Sequence, residues 1–156
     1  VVAIGREITP PRQTSGPGGL PAAAGAGAPS LTVTPPAVDL GAISQARGIV
    51  GVELAIANSG SAPLVISEME TTCGCTEASL VVNGLAGPWF GMRGHGPWPT
   101  GWSATLPPGA QATLRVRYDP DAHGIYRGPV DRIVFIYSND PRQPRYSVRL
   151  TGTQVP

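Results

Sequence analysis

The chain has 156 residues, of which 21 are Gly and 18 are Pro, and only 13% carry charge. A quarter of the chain in two helix-disfavouring residue types excludes a helical bundle or coiled coil, and no apolar run approaches the roughly eighteen residues of a membrane-spanning helix. A formal net charge of +1 gives no broad field towards nucleic acid or anionic lipid. All eleven basic residues are Arg, a bias that heat tolerance or a GC-rich genome would each produce.

The length suits one folded domain. The chain begins at Val1 rather than Met; an export signal, a lipid-bearing cysteine and a membrane anchor are all compatible with what precedes it, and membrane contact is expected only through such an anchor. Residues 1–8 are a short apolar start, read either as a strand that pairs with a partner or as a frayed terminus. Residues 10–30 hold fifteen Gly, Pro or Ala among twenty-one, with Leu20 the one large apolar side chain. Such a stretch cannot bury enough surface to offset its ordering entropy, so residues 1–30 are predicted to be an extended segment and linker, and residues 31–156 the folded domain.

From Ser30 onward the pattern becomes short strands divided by turn signals, the signature of an all-β sandwich. Strands are predicted over 31–34 and 38–43, separated by Pro35-Pro36. Over 49–57, Val50, Val52, Leu54 and Ile56 share one face, and Asn58-Ser59-Gly60 ends the run. Strands over 64–70 and 77–82 follow. Ala112, Leu114, Val116 and Tyr118 point one way while Thr113, Arg115 and Arg117 point the other, the two-residue period of a half-buried strand. The run 131–137 stops at Ser138-Asn139-Asp140-Pro141, and 146–151 closes the domain. Helix is expected to be almost absent, because no window shows its period.

Residues 83–106 break this rhythm, with about two dozen positions lacking any periodicity. A loop of that length in a compact domain is functional or disordered. It contains all three tryptophans (Trp89, Trp98 and Trp102) and Phe90, apolar groups that need a surface to cover. The loop is therefore predicted to fold over something, and these four rings are the predicted contact surface for a protein partner.

The soft or borderline metal ligands number six: Cys73, Cys75, Met69, Met92, His95 and His123. Four of them fall within the twenty-three residues from Cys73 to His95. Thiolate, thioether and imidazole together select monovalent copper, whereas zinc rarely takes Met. In an extended segment residues two apart face the same side, so Cys73 and Cys75 can offer both sulfurs to one metal, and the long loop can bring Met92 and His95 over them. His123, in a turn, completes the predicted copper set; Met69 is assigned to the core. Two other arrangements remain open for the cysteines. A disulfide would need the strand to bend at Gly74, since Cα atoms two apart in a straight strand lie about 6.5–7 Å apart. Two inert buried thiols are the third.

Catalytic signals are poor: no Ser-His-Asp order, no phosphate loop, and few, scattered carboxylates. The chain is expected not to be an enzyme. Arg93 is the one basic residue in the aromatic loop, so stacking on nucleic acid is not expected.

The ordered series VDLGAI, IANSGSAPLVISEMETTCGCT, LPPGAQATLRVRYDP and IVFIYSNDPRQPRYSVRLTG resembles the bacterial, exported domain-of-unknown-function family 1573. The resemblance covers residues 31–153 and implies an immunoglobulin-like sandwich of about seven strands, in the class of the major sperm protein and ASH domains, located outside the cytoplasm. It implies no activity. The Trp-, Met- and His-bearing loop is an insertion relative to that pattern. The function expected from the ligand set is copper delivery or electron transfer beside a larger membrane complex. Two alternatives belong to other classes: a structural or adhesive module that docks on partners or on copies of itself, and a thiol redox protein using Cys73 and Cys75.

Overall fold

The computed structural model describes residues 27–156. The predicted strand and linker over residues 1–26 lie outside them. Ten strands follow in order: β1 (Leu31–Thr34), β2 (Ala37–Ser44), β3 (Val50–Asn58), β4 (Leu64–Thr71), β5 (Thr76–Val82), β6 (Leu85–Ala86), β7 (Ala104–Leu106), β8 (Gln111–Tyr118), β9 (Gly128–Ser138) and β10 (Arg145–Val155). One 3-10 turn at Gln45–Arg47 is the only helical element among the described residues, and no described helix is long and apolar enough to cross a membrane.

The strands form two five-stranded sheets, ordered β1-β3-β8-β5-β6 and β2-β10-β9-β4-β7. Pro35-Pro36 interrupt hydrogen bonding between β1 and β2, which lets one chain segment serve both layers. β1 runs antiparallel to β3, with Leu31 opposite Asn58, whereas β2 runs parallel to β10, with Ala37 opposite Arg149. This is an immunoglobulin-like sandwich. The eight predicted strands are all present, with β9 and β10 longer than expected, and β6 and β7 are additional.

The period-two faces meet between the layers. Leu54, Ile56, Ala112, Leu114 and Val116 of one sheet and Leu64, Ile66, Met69, Val134, Ile136, Val148 and Leu150 of the other are buried in one cluster. Met69 thus lies in the core, as its strand position predicts. A smaller cluster of Ile43, Cys73, Cys75, Tyr118 and Val130 fills one end of the sandwich.

Residues 83–106 prove to be a strap. Asn83 and Gly84 have φ of 51° and 77°, the left-handed pair that a tight hairpin between β5 and β6 requires. The chain then continues beside β5: Gly87 donates its N–H to Leu80 O (2.8 Å), and Phe90 exchanges both backbone bonds with Ala78 (2.8 and 2.9 Å). It next crosses to the other layer, where Thr71 N–H reaches Gly91 O at 3.2 Å. Phe90 carries the crossing. Its ring is 0% exposed and belongs to the main core, with Trp102 and Trp98 packed edge-on at 5.3 and 6.3 Å.

The candidate functional site at the Cys73 to Cys75 turn

At Thr71, β4 ends and the chain turns sharply into β5, with Thr76 N–H donating to Cys73 O at 3.1 Å. The bend brings the Cα atoms of Cys73 and Cys75 to 5.1 Å, and the two cysteines form a disulfide. Of the three arrangements open to this pair in sequence, the structure contains the bridge. In this oxidised state neither sulfur is a thiolate, so the predicted copper clamp requires the reduced pair. The buried Thr71 hydroxyl lies 2.9 Å from Cys73 O and 2.7 Å from Thr76 O, sharing its proton between the two carbonyls and holding the turn from beneath.

Three further elements converge on the sulfurs. The strap supplies Met92 and His95: Gly91 N–H donates to Pro97 O (2.8 Å) and His95 N–H to Met92 O (2.9 Å), forming a tight double turn over Gly74. A Cβ at Gly74 would stand 2.9 Å from His95 O, so glycine is what lets the strap settle on the turn. The segment between β8 and β9 supplies His123. Asp119 N–H donates to Cys75 O at 2.8 Å, docking this segment against the cysteine turn, and His123 Nε2 lies 2.9 Å from Cys73 Sγ. Arg132, on β9, donates from Nε to Cys75 Sγ at 3.1 Å and from Nη1 to Asp131 O at 2.8 Å.

Below the bridge, Tyr118 is buried and donates its hydroxyl to Gln154 Oε1 (2.7 Å), while Gln154 Nε2 donates to Pro120 O (2.8 Å). Burial pushes the Tyr118 phenol above its ordinary range, with Arg132 opposing, so the phenol stays protonated as a donor at neutral pH.

Above the bridge opens a cleft of about 620 Å³ lined by Thr72, Cys73, Gly74, Met92, His95, Ala122, His123 and Arg132. Four of the five predicted copper ligands therefore share one cleft, and the fifth, Cys75, is bonded to one of them. Cys73, Cys75 and His123 each place a donor atom within 4.8 Å of the others. Sequence reasoning missed Arg132 and Thr71. Arg132 is separated from Cys75 by fifty-seven positions, and no spacing motif links them.

Of the four rings predicted as a contact surface, one is withdrawn from it. Phe90 is core, so it is not available as a docking surface. Trp89 lies half-buried against the guanidinium groups of Arg117 and Arg115, at 4.0 and 4.8 Å, with Arg117 paired to Glu77. Trp98 is covered by Arg93 at 4.4 Å, and Arg93 also bonds Glu68 at 3.2 Å. These rings cover the domain's own open flank, because an isolated strap with so few backbone bonds needs apolar burial to hold it in place.

Residues 31–85 match the model of the family described as Protein of unknown function (DUF1573), the family the sequence resembles. No curated protein matches the chain in sequence. Among solved structures, the chain is similar to a protein of unknown function from Porphyromonas gingivalis W83, with 18% identity, TM-score 0.60, and 82% of this chain and 48% of that one covered. It thus spans about half the length of that protein. It is also similar to part of a family 123 glycoside hydrolase from Clostridium perfringens (8% identity, TM-score 0.55, 82% and 27% covered). A third similarity is to the ASH/PapD-like domain 7 of human CEP192 (11% identity, TM-score 0.46, 99% and 97% covered). At such identities the likeness is one of fold.

Proposed function

We propose that this chain is an extracytoplasmic interaction module of the immunoglobulin-like class whose working end is the Cys73–Cys75 pair, which exchanges electrons with the thiols of a partner protein. The observation that carries the reading is the bridge between residues two apart, with Cys73 facing an open cleft and both sulfurs contacted by basic side chains. A bridge that closes so short a loop restrains the unfolded chain very little, so stapling is a poor account of it. The family resemblance and the presence of a disulfide both favour an oxidising compartment.

The test is reduction of the folded protein by dithiothreitol, followed by alkylation and intact mass. Both thiols should become alkylated while circular dichroism still reports the sandwich, and the bridge should re-form once the reductant is removed. A bridge that resists reduction until the domain unfolds would overturn the proposal.

A second reading is favoured by one specific observation, the meeting of Met92, His95 and His123 with Cys73 in a single cleft. After reduction, Cys73, Cys75, His123 and Met92 or His95 offer the soft donors suited to monovalent copper, for delivery to, or electron transfer beside, a membrane complex. Reduced protein offered Cu(I) should then retain close to one equivalent, and Cys73→Ser should lose it. Unchanged copper content in that variant would remove this reading.

A further inference from the structure

The two sulfurs of the bridge occupy different surroundings, although they are bonded to each other. Cys73 lines the large cleft. Both cysteines are buried, Cys73 at 8% and Cys75 at 2% exposed, but Cys75 borders a separate, smaller hollow of about 210 Å³, shared with Ile49, Gly74, Glu77, Arg117 and Asp119. There Glu77 is neutralised by its pair with Arg117, which leaves Asp119 as the net negative charge facing an approaching thiolate, whereas the cleft over Cys73 presents His95, His123 and Arg132 and no acid. Attack on a disulfide sulfur also places the developing charge on the other sulfur. Arg132 Nε–H is already aimed at Cys75 Sγ at 3.1 Å, and a donor fixed in advance on the atom that becomes anionic stabilises the transition state more than the ground state.

We infer that exchange at this pair is one-sided: a partner thiolate attacks Cys73, and Cys75 departs as a thiolate held by Arg132. The inference rests on the redox reading above. In the first step the partner sulfur bonds to Cys73 Sγ while the Cys73–Cys75 bond breaks, and its electron pair goes to Cys75. A second thiolate of the same partner then attacks the mixed disulfide, leaving the partner oxidised and releasing the Cys73 thiolate. Two electrons pass from a partner dithiol to this chain, and the two protons of the partner's thiols balance the two new thiols. In the reverse direction Cys73 is the attacking thiolate, placed by His123 Nε2 at 2.9 Å and by the Cys75 backbone N–H at 3.1 Å. Cys75 then resolves the mixed disulfide. Arg132 stabilises the Cys75 thiolate in both directions.

The experiment has two arms. Cys75→Ser and Cys73→Ser chains, each with one thiol, are mixed with an aromatic disulfide; the Cys73 thiol should react about tenfold faster than the Cys75 thiol. In the second arm, the bridge of Arg132→Gln should be reduced by dithiothreitol about tenfold more slowly than wild type, and Arg132→Lys should recover much of the rate. A purely structural role for Arg132 would not produce recovery by charge. Equal rates in the two single-thiol chains, or wild-type reduction of Arg132→Gln, would overturn the inference. Failure of the earlier reading is a different outcome, a wild-type bridge that no dithiol reduces in the folded state.

Discussion

The two ends of the sandwich direct their polar side chains at opposite kinds of partner. At the end where β3 stops, Asn58 is fully buried and all its amide valences are spent on main chain. Its Oδ1 accepts from Ser30 and Gly60 (3.2 and 3.0 Å), and its Nδ2 donates to Ala62 and Leu106 carbonyls (2.8 and 2.9 Å). Asp140 does the same through Leu31, Arg142 and Gln143 N–H groups (2.9, 2.8 and 3.3 Å). At the other end, Arg132 and His123 direct their polar atoms at sulfur and face a cleft. Groups at the first end are committed to main-chain partners and serve stability. Groups at the second are directed at an atom that can change its charge, and that difference is what marks an end suited to chemistry.

The comparison can be broken or sharpened by substitution. The largest effect should come from the strap that connects the layers: Phe90→Ala, by emptying a wholly buried site, should lower unfolding free energy by about 4 kcal/mol in denaturant titration. A loss below about 1 kcal/mol would show that the strap is not part of the core. Asn58→Ala should follow, at about 3 kcal/mol, because it leaves buried carbonyls and N–H groups without partners. Its rate of reduction by dithiothreitol should be unchanged, and a slowed bridge would deny the independence of the two ends. Smallest should be Cys73→Ala with Cys75→Ala, at no more than about 1.5 kcal/mol by loop entropy, although every redox response disappears. A loss comparable to Asn58→Ala would reassign the bridge to structure.

Exposed charge pairs belong to neither category. Arg149 pairs with Asp131 on the outer face of β9 and β10, and its hydrogen bond holds the Asp131 carboxyl below the ordinary aspartate range. The sign is that of a depressed acid: the pair supports the fold above the unfolded-state value and loses that support as pH falls through the folded one. Solvent keeps the contribution small.

Every strand with a period-two pattern was legible from residues 31–151, since alternation is a local property that a sheet simply reads out. β6 and β7 were not, being two and three residues long, too short for a period. The site was legible in part. Cys73, Cys75, Met92, His95 and His123 could be named from ligand chemistry and spacing, and the bend at Gly74 needed for a bridge could be stated in advance. Whether the bend occurs depends on the local contact of Thr71 beneath the turn and on His95 O above it, and the second of these comes from a separate part of the chain. The aromatic loop was recognised as a covering element, but its object was the domain itself: Phe90 pairs with Ala78 because the flank beside β5 would otherwise leave apolar core open to water.

Residue order alone thus determined the layer architecture, the faces that meet, the turn chemistry and the short inventory of reactive side chains, because each follows from neighbours a few positions apart. Tertiary structure alone decided that the sulfurs are joined, that Arg132 stands at Cys75 and His123 at Cys73, and that only one sulfur faces the large cleft. The contacts of His123 and Arg132 with the sulfurs join positions about fifty or more apart in the chain, and they come into being only when the two sheets pack.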